Sequence, residues 1–448
     1  MTTDLMRMGS GAGFSSDRLG PAVDLAKQAE LDWLVFETIG ERTLAFGHRD
    51  RLANPSRGYN PQLAARMRGV LQPCRDQGTR IMTNMGVANV EAAAEVVINV
   101  ARELGMKGLK VAAVLGDEVT EQLKDDTVLF DYGGRTLGEV DRPLVGANAY
   151  LGIDAILPAV ETGADVVITG RVADPSLFLA PIVNQFGWAR DDWAKLGQGT
   201  LVGHLMECGM QITGGYFADP GRKHVPRPAE CGYPIAAINA DGRAEITKLE
   251  TAGGMVNMAT VKEQLMYEVH DPTRYLTPDV TADFSTARLN ESGQDRVRVA
   301  SAGGTERPKQ LKVTVGFDGG LLGEAGVSYA GVNAAARAHL SADILRQRFD
   351  DVPGMAGQYR VDLIGLNSVH GTAKPDAEGE SQDVRVRAAM RSMDRDMIET
   401  MLWEVEAMLC CGPAGGGGYR GQITPGVVTH STMIDRDAIS PSVKVYEA

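Results

Sequence analysis

Asp32-Trp33-Leu34-Val35-Phe36-Glu37 sets four consecutive apolar side chains between two carboxylates. An unbroken apolar run of that length, without alternation, is the pattern of a strand buried on both faces. The same texture recurs at Thr79-Arg80-Ile81-Met82-Thr83-Asn84, at residues 109–115 and at residues 164–169. Residues 5–8 form a shorter candidate strand, followed by the glycine-rich turn Gly9-Ser10-Gly11-Ala12-Gly13. Between these runs lie helical stretches. Residues 21–30 put Ala22, Leu25, Ala26 and Ala29 on one face, residues 61–72 form a second helix, and residues 90–104 form a third that stops at Gly105. Buried strands alternating with helices predict an α/β domain over residues 1–215, a parallel sheet with helices on both faces of the doubly wound type.

Beyond it, residues 216–448 read as a second domain. Up to about residue 304 the chain carries glycine pairs, prolines and short alternating strands such as residues 244–249, with one helix at residues 261–269. This is a β-rich segment. The remainder orders as strand 310–317, helix 332–349, strands 359–366 and 383–390, helix 394–409 and strand 426–434. That is the βαββαβ order of a ferredoxin-like α+β domain.

Composition narrows the class. The 448 residues include 45 basic and 58 acidic side chains, a formal charge of 45 − 58 = −13, with 44% hydrophobic residues. Such a chain buries an ordinary core, and it lacks the basic face that nucleic acid or an anionic membrane requires. Its five scattered cysteines have no metal-ligand spacing, and there is no amino-terminal apolar segment. A reduced cytoplasmic protein is therefore expected, with no metal site. An open ferredoxin-like sheet face favours a homo-oligomer.

In a parallel sheet, ligands bind beyond the carboxyl ends of the strands, and every predicted strand end carries polar groups. After the first come Ser10, Gly11, Gly13, Phe14 and Ser15, a loop whose amides could face an anion. After the second come Glu37, then Glu41 and Arg42. Asn84 and Gly86 follow the third, Asp117 and Glu118 the fourth, and Arg171 and Asp174 the last. Glu37 and Asp117 are candidate proton-transfer groups, and Arg171 a candidate clamp for a carboxylate or carbonyl. Each also has an ordinary reading: loop ends are polar anyway, Glu37 fits a salt bridge, and Asp174 before Pro175 fits a helix cap. The glycine loop resembles the dinucleotide fingerprint, but Phe14 stands where its third glycine belongs. His204 and Cys208 lie four residues apart on one helical face, either a buried thiol beside a satisfied histidine or an activated nucleophile. Arg222 belongs to the one local basic cluster, suited to the phosphates of a coenzyme A thioester or to a plain solvated loop.

Several of these stretches together resemble a known family. Residues 9–18, the run 31–37 with Glu41-Arg42-Thr43, Asn84-Met85-Gly86, Val114-Leu115-Gly116-Asp117, residues 169–176 and Thr213-Gly214-Gly215-Tyr216 are similar to the acyclic terpene utilisation AtuA family. The resemblance implies a place in the breakdown of branched terpenoid acids as coenzyme A thioesters, near hydration or carbon–carbon cleavage of a hydroxyacyl-CoA. The expected function is thus a lyase or hydratase acting on a small acyl-CoA or branched acid. Glu37, Asp117 and Arg171 would be catalytic. Ser10, Gly11, Gly13, Phe14, Ser15, Asn84, Gly86, Asp174 and Arg222 would bind substrate. No cofactor is required beyond coenzyme A as part of the substrate. The alternatives are an acyl hydrolase or transferase with Ser15 or Cys208 as nucleophile, and a non-catalytic acyl-CoA-binding or assembly subunit.

Overall fold

The computed structural model describes residues 5–371 and 381–448. The chain divides into two compact units, Met1–Gly316 with Thr429–Ala448, and Phe317–Val428.

The first unit opens with β1 (Leu5–Ala12), α1 (Gly20–Gln28), β2 (Trp33–Phe36), α2 (Glu41–Ala53), α3 (Leu63–Gln77), β3 (Arg80–Thr83), α4 (Val90–Glu103) and β4 (Lys110–Leu115). It continues through β5 (Leu144–Ala149), α5 (Ile153–Glu161), β6 (Val166–Thr169), α6 (Ser176–Phe186) and α7 (Trp193–Glu207). Then come β7 (Pro234–Asn239), β8 (Ala244–Lys248), α8 (Met258–Met266), β9 (Tyr275–Leu276), β10 (Thr281–Asp283), β11 (Arg288–Gly293), β12 (Arg296–Ala300), β13 (Gly303–Thr305) and the start of β14 (Gln310–Ala330).

Ten strands form one sheet in the order β11-β12-β8-β7-β1-β2-β3-β6-β4-β18, where β18 is Ser442–Glu447. The pairs from β1 to β4 are parallel, as the apolar runs imply. The sheet as a whole is mixed, however: β7, β8, β12 and β11 extend it from β1 through antiparallel pairs, and β18 pairs antiparallel with β4. The outer strands show why. In β12, Val297 and Val299 are buried while Arg296 and Arg298 are exposed, the one-sided alternation of a strand with one wet face. The central strands are covered on both faces. Leu34, Phe36, Ile81 and Ile168 face a core shared with Leu25 of α1, Met67 and Val70 of α3, and Val97 and Ile98 of α4. Val35, Met82, Ala112 and Val167, which alternate with them, are equally buried. Helices α5, α6 and α7 pack together as a second group touching β1, β2, β4, β6 and β7.

Two local expectations need correction. The glycine-rich turn does not exist as a turn: Gly9 to Ala12 continue β1, paired to β2 on one side, with a register irregularity between Ser10 and Ala12. Gly9 is also paired with Ile235 on the other side. The glycines serve packing, since a Cβ on Gly11 would lie 2.8 Å from Phe36 Cζ. Helix α2 was not expected either, because its inward side is only Leu44, Ala45, Gly47 and His48, a weak apolar stripe.

The second unit contains the rest of β14, then α9 (Ala334–Asp350), β15 (Tyr359–Ile364), β16 (Asp383–Ser392), α10 (Arg395–Cys411) and most of β17 (Gly417–Asp435). Its sheet runs β15-β16-β14-β17, and β16 is antiparallel to both neighbours. Val327, Leu363 and Val386 of the sheet share a core with Leu345 and Phe349 of α9 and Ile398, Met401 and Val405 of α10.

One buried carboxyl of the first unit ties two helix starts together. Asp279 Oδ1 accepts the Ile153 amide at the start of α5 (2.7 Å), and Oδ2 accepts the Ser176 hydroxyl at the start of α6 (2.5 Å). Burial outweighs both bonds and raises its pKa from 3.8 to about 6. A raised folded-state pKa means that the stabilising contribution is complete below about pH 3.8 and is lost as pH rises through about 6. Asp279→Asn keeps one acceptor and removes the titration. The difference in thermal midpoint between variant and wild type is therefore expected to move in the variant's favour across that window, by the equivalent of about 1–3 kcal/mol. A difference that stays flat from about pH 4 to about pH 7 contradicts this.

Candidate active site

The carboxyl ends of the parallel strands carry a connected set of buried polar groups. Glu37 follows β2 directly, and its Oε1 accepts the Ile39 amide (2.7 Å) and Asn84 Nδ2 (2.9 Å). Asn84 follows β3, and its Oδ1 accepts the Thr38 amide (2.8 Å), so the turn 37–39 is wrapped around one amide side chain. Arg171, beyond β6, is only 2% exposed. Its Nη1 donates to the Ile39 carbonyl (2.7 Å) and to Asp174 Oδ1 (2.8 Å), and its guanidinium carbon lies 3.8 Å from the centre of the Tyr150 ring. Asp117, after β4, accepts the Arg171 amide (2.7 Å) and Asn148 Nδ2 (2.8 Å) through Oδ2. Gly170 leaves the room this carboxylate occupies.

A second ring of charge lies next to Arg171. Glu41, the first residue of α2, accepts the Tyr150 hydroxyl (2.7 Å) and Lys312 Nζ (3.1 Å) on Oε1. Tyr150, Asp174 and Lys312 line a cavity of about 220 Å³, together with Tyr275 and a rim of prolines and aliphatic side chains.

These environments separate the carboxyls by proton affinity. Burial, reinforced by Asp174, pushes Glu37 well above the usual carboxylate range, against the pull of Arg171, Asn84 and the Ile39 amide. Burial also raises Asp117 to about 6. Glu41 goes the other way: burial opposes ionisation, but Arg171, the Tyr150 hydroxyl and Lys312 bring it down to about 2. Two carboxyls around Arg171 are thus pushed in opposite directions, Glu37 toward its protonated form and Glu41 toward its ionised form, a division of labour suited to acid–base chemistry.

At the end of α7, His204 Nδ1 lies 2.9 Å from Glu207 Oε1, and His204 Nε2 lies 3.2 Å from the Leu265 carbonyl. Cys208 follows, its backbone packed against Gly13 with no room for a Cβ there. Burial, with Glu207 adding to it, pushes the Cys208 thiol far up.

Glu37 is thus bonded to Asn84, and Arg171 to Asp117 and Asp174, and the two groups are linked through the Ile39 backbone. The remaining candidates lie otherwise. Ser10 is fully buried within β1, its hydroxyl donating to the Ala12 carbonyl (3.3 Å), and Gly11 packs on Phe36. The Gly13 amide donates to Asp17 Oδ2 (2.8 Å), and the Gly86 amide to the Thr169 carbonyl (3.1 Å). Phe14 is exposed, and Ser15 Oγ accepts Asn60 Nδ2 (3.2 Å). Arg222 is 85% exposed and lies 4.0 Å from Asp219. The sequence reading did not single out Tyr150, Glu207 or Lys312. Tyr150 was findable as the first polar residue after β5 had that strand been recognised. Lys312 sits in an alternating strand with nothing local to mark it.

Among the described residues no helix is long and apolar enough to cross a membrane, and no cluster of three or more His, Cys, Asp or Glu side chains could hold a metal ion. A family model described as acyclic terpene utilisation family protein AtuA matches residues 6–445. No curated protein and no solved structure matches the chain.

Proposed function

Because the chain belongs to the acyclic terpene utilisation AtuA family, we propose that it is a catabolic enzyme for branched acyl-CoA thioesters or branched carboxylic acids, a lyase or hydratase that moves protons beside a carbonyl. One observation carries this reading. A buried arginine is bonded at once to the turn that holds Glu37, a carboxyl that burial pushes toward its protonated form, and to Asp174 on the wall of a cavity that also presents Lys312 and Tyr150.

Each group takes a role in this reading. Lys312, on the cavity wall, meets the carboxylate or thioester oxygen of the substrate. Arg171 holds Asp174, the Tyr150 ring and the Glu37 turn in one arrangement. Glu37 supplies a proton to the carbon next to the carbonyl, and Asp117 braces the Arg171 backbone. A cavity of about 220 Å³ suits the branched acid head, with the bulk of coenzyme A outside it. Proton transfer next to a carbonyl needs no further cofactor, and the second unit, read as a ferredoxin-like fold, suits self-association. The nucleophile alternatives gain no support: the Cys208 thiol is held protonated, its neighbour His204 is engaged by Glu207 and Leu265, and Ser15 has Asn60 rather than a base as its partner.

The test is incubation of the full chain with a panel of 3-methyl-branched 2-enoyl-CoA and 3-hydroxyacyl-CoA thioesters, followed by mass spectrometry of the products. Gain or loss of water, or scission of the acyl chain, is the expected result. No change in any member of the panel contradicts the reading.

A further inference from the structure

Glu207 is buried, 7% exposed, and its Oε2 has no hydrogen-bond partner although its Oε1 is engaged by His204. The other end of that histidine decides where the protons are. A carbonyl oxygen only accepts, so the 3.2 Å contact with Leu265 fixes a proton on Nε2. Nδ1 then either accepts a proton from a carboxylic acid or donates one to a carboxylate, and in both forms the pair carries one shared proton and no net charge. Burial decides between them. It lowers His204 to about 4 and raises Glu207 well above its ordinary value, with Asp174 and Glu268 adding to the rise and Arg171 opposing it. The resting pair is a neutral imidazole beside a neutral carboxyl.

The pair also lies next to the cavity. Tyr275, which lines it, packs on the His204 ring at 5.2 Å between centroids, with Phe284 at 5.5 Å on the same imidazole. Asp174, on the cavity wall, is the strongest charge acting on Glu207. The titratable groups around the pair are therefore Asp174, Arg171, Cys208, Glu268 and Tyr275.

We propose that His204 and Glu207 form a carboxyl–imidazole relay that accepts the proton from substrate or water, with Glu37 as the opposing proton donor. This rests on the lyase or hydratase reading above. In hydration, water gives one proton to Glu207 Oε2 as the Oε1 proton passes to His204 Nδ1. The resulting hydroxide adds to the β-carbon, and the alkene pair moves to the α-carbon, which takes the proton of Glu37. In cleavage, the β-hydroxyl gives its proton to Oε2, the hydroxyl oxygen becomes a carbonyl, and the Cα–Cβ bond pair stays on the α-carbon and is protonated by Glu37. Either way the relay ends positively charged and Glu37 negatively charged, and return of one proton from relay to Glu37 restores both. The positive relay is stabilised by Asp174 and Glu268. Glu207 is the catalytic residue and His204 its positioning partner.

The test has two independent arms. In the first, nitrogen-15 NMR of the histidines, with His204→Gln identifying the resonance, should show His204 as the neutral Nε2–H tautomer with an accepting Nδ1 at about pH 7. An imidazolium or an Nδ1–H tautomer overturns the relay whatever the reaction is. In the second, Glu207→Gln, which keeps size and can still donate to Nδ1, should lower kcat on a turned-over member of the branched acyl-CoA panel by about 100-fold or more. The acid limb of the wild-type pH profile should vanish, with the thermal midpoint kept. Unchanged kcat and an unchanged limb overturn the relay while leaving the function reading intact. A wild-type chain inert on the whole panel overturns the function reading, and the relay's catalytic role with it, even where the tautomer is as stated.

Discussion

Replacing Arg171 by methionine is expected to abolish turnover and to destabilise the first unit by about 3–5 kcal/mol, the usual result of removing one partner from a buried charge cluster. The guanidinium closes two contacts, to the Ile39 carbonyl and to Asp174, and stacks on Tyr150. Burial would lower its pKa, but Asp174, Tyr150, Glu37 and Glu41 together raise it, so it is a permanent cation. Without it, the repulsion between Asp174 and Glu41 is left with Lys312 as the nearby cation, and the Glu37 turn loses its anchor. Arg171→Lys restores the charge but not the planar fork or the stacking, so it should recover part of the stability and little of the rate. Asp174→Asn added to Arg171→Met should recover stability relative to the single variant, because one uncompensated carboxylate is gone. Thermal unfolding of the four proteins measures this. A double variant no more stable than Arg171→Met shows that the pair is not coupled as the geometry implies.

Glu37→Gln is the second large effect, and at mildly acid pH it should fall on rate and leave stability as it is. The amide oxygen of glutamine can accept the Ile39 amide and Asn84 Nδ2 as Glu37 Oε1 does. Burial favours the protonated form of the wild-type carboxyl, so the substitution removes a transferable proton and mimics that form in charge. Turnover of the branched acyl-CoA panel should drop about 100-fold to 10,000-fold. The sign of the stability effect follows from the raised folded-state pKa: the Glu37 contribution is complete at low pH and is lost as pH rises through its folded value. The variant should therefore match wild type at mildly acid pH and equal or exceed it at alkaline pH. A variant that keeps wild-type kcat, or that unfolds at neutral pH, would remove Glu37 from the proton chemistry.

The legibility of this molecule in its sequence divides along the range of the interactions. A strand covered on both faces announces itself locally, because Trp33-Leu34-Val35-Phe36 needs no partner to look buried, and the residues that end such strands must sit at one edge of a parallel sheet. Glu37, Asn84, Asp117, Arg171 and Asp174 were reachable by that logic, and one hydrogen-bonded chain that passes through Ile39 links them. The glycines at positions 9, 11 and 13 misled for the opposite reason. Glycine signals conformational freedom, while here it makes room for Phe36 and for the Cys208 backbone, neighbours that are not adjacent in the chain. Helix α2 hid because small residues and a histidine form its inner side.

The sequence alone determined the parallel centre of the sheet and the rim on which its polar groups gather, since burial and strand direction are written in runs of four to seven residues. Only the tertiary structure decided that Lys312 would close on Glu41, 271 positions away, that Tyr150 would lie under Arg171, and that Glu207 would share a proton with His204. Those pairings depend on desolvation and on contacts between distant segments. A carboxylate's proton affinity belongs to its surroundings in the folded chain and leaves no mark on the residues beside it.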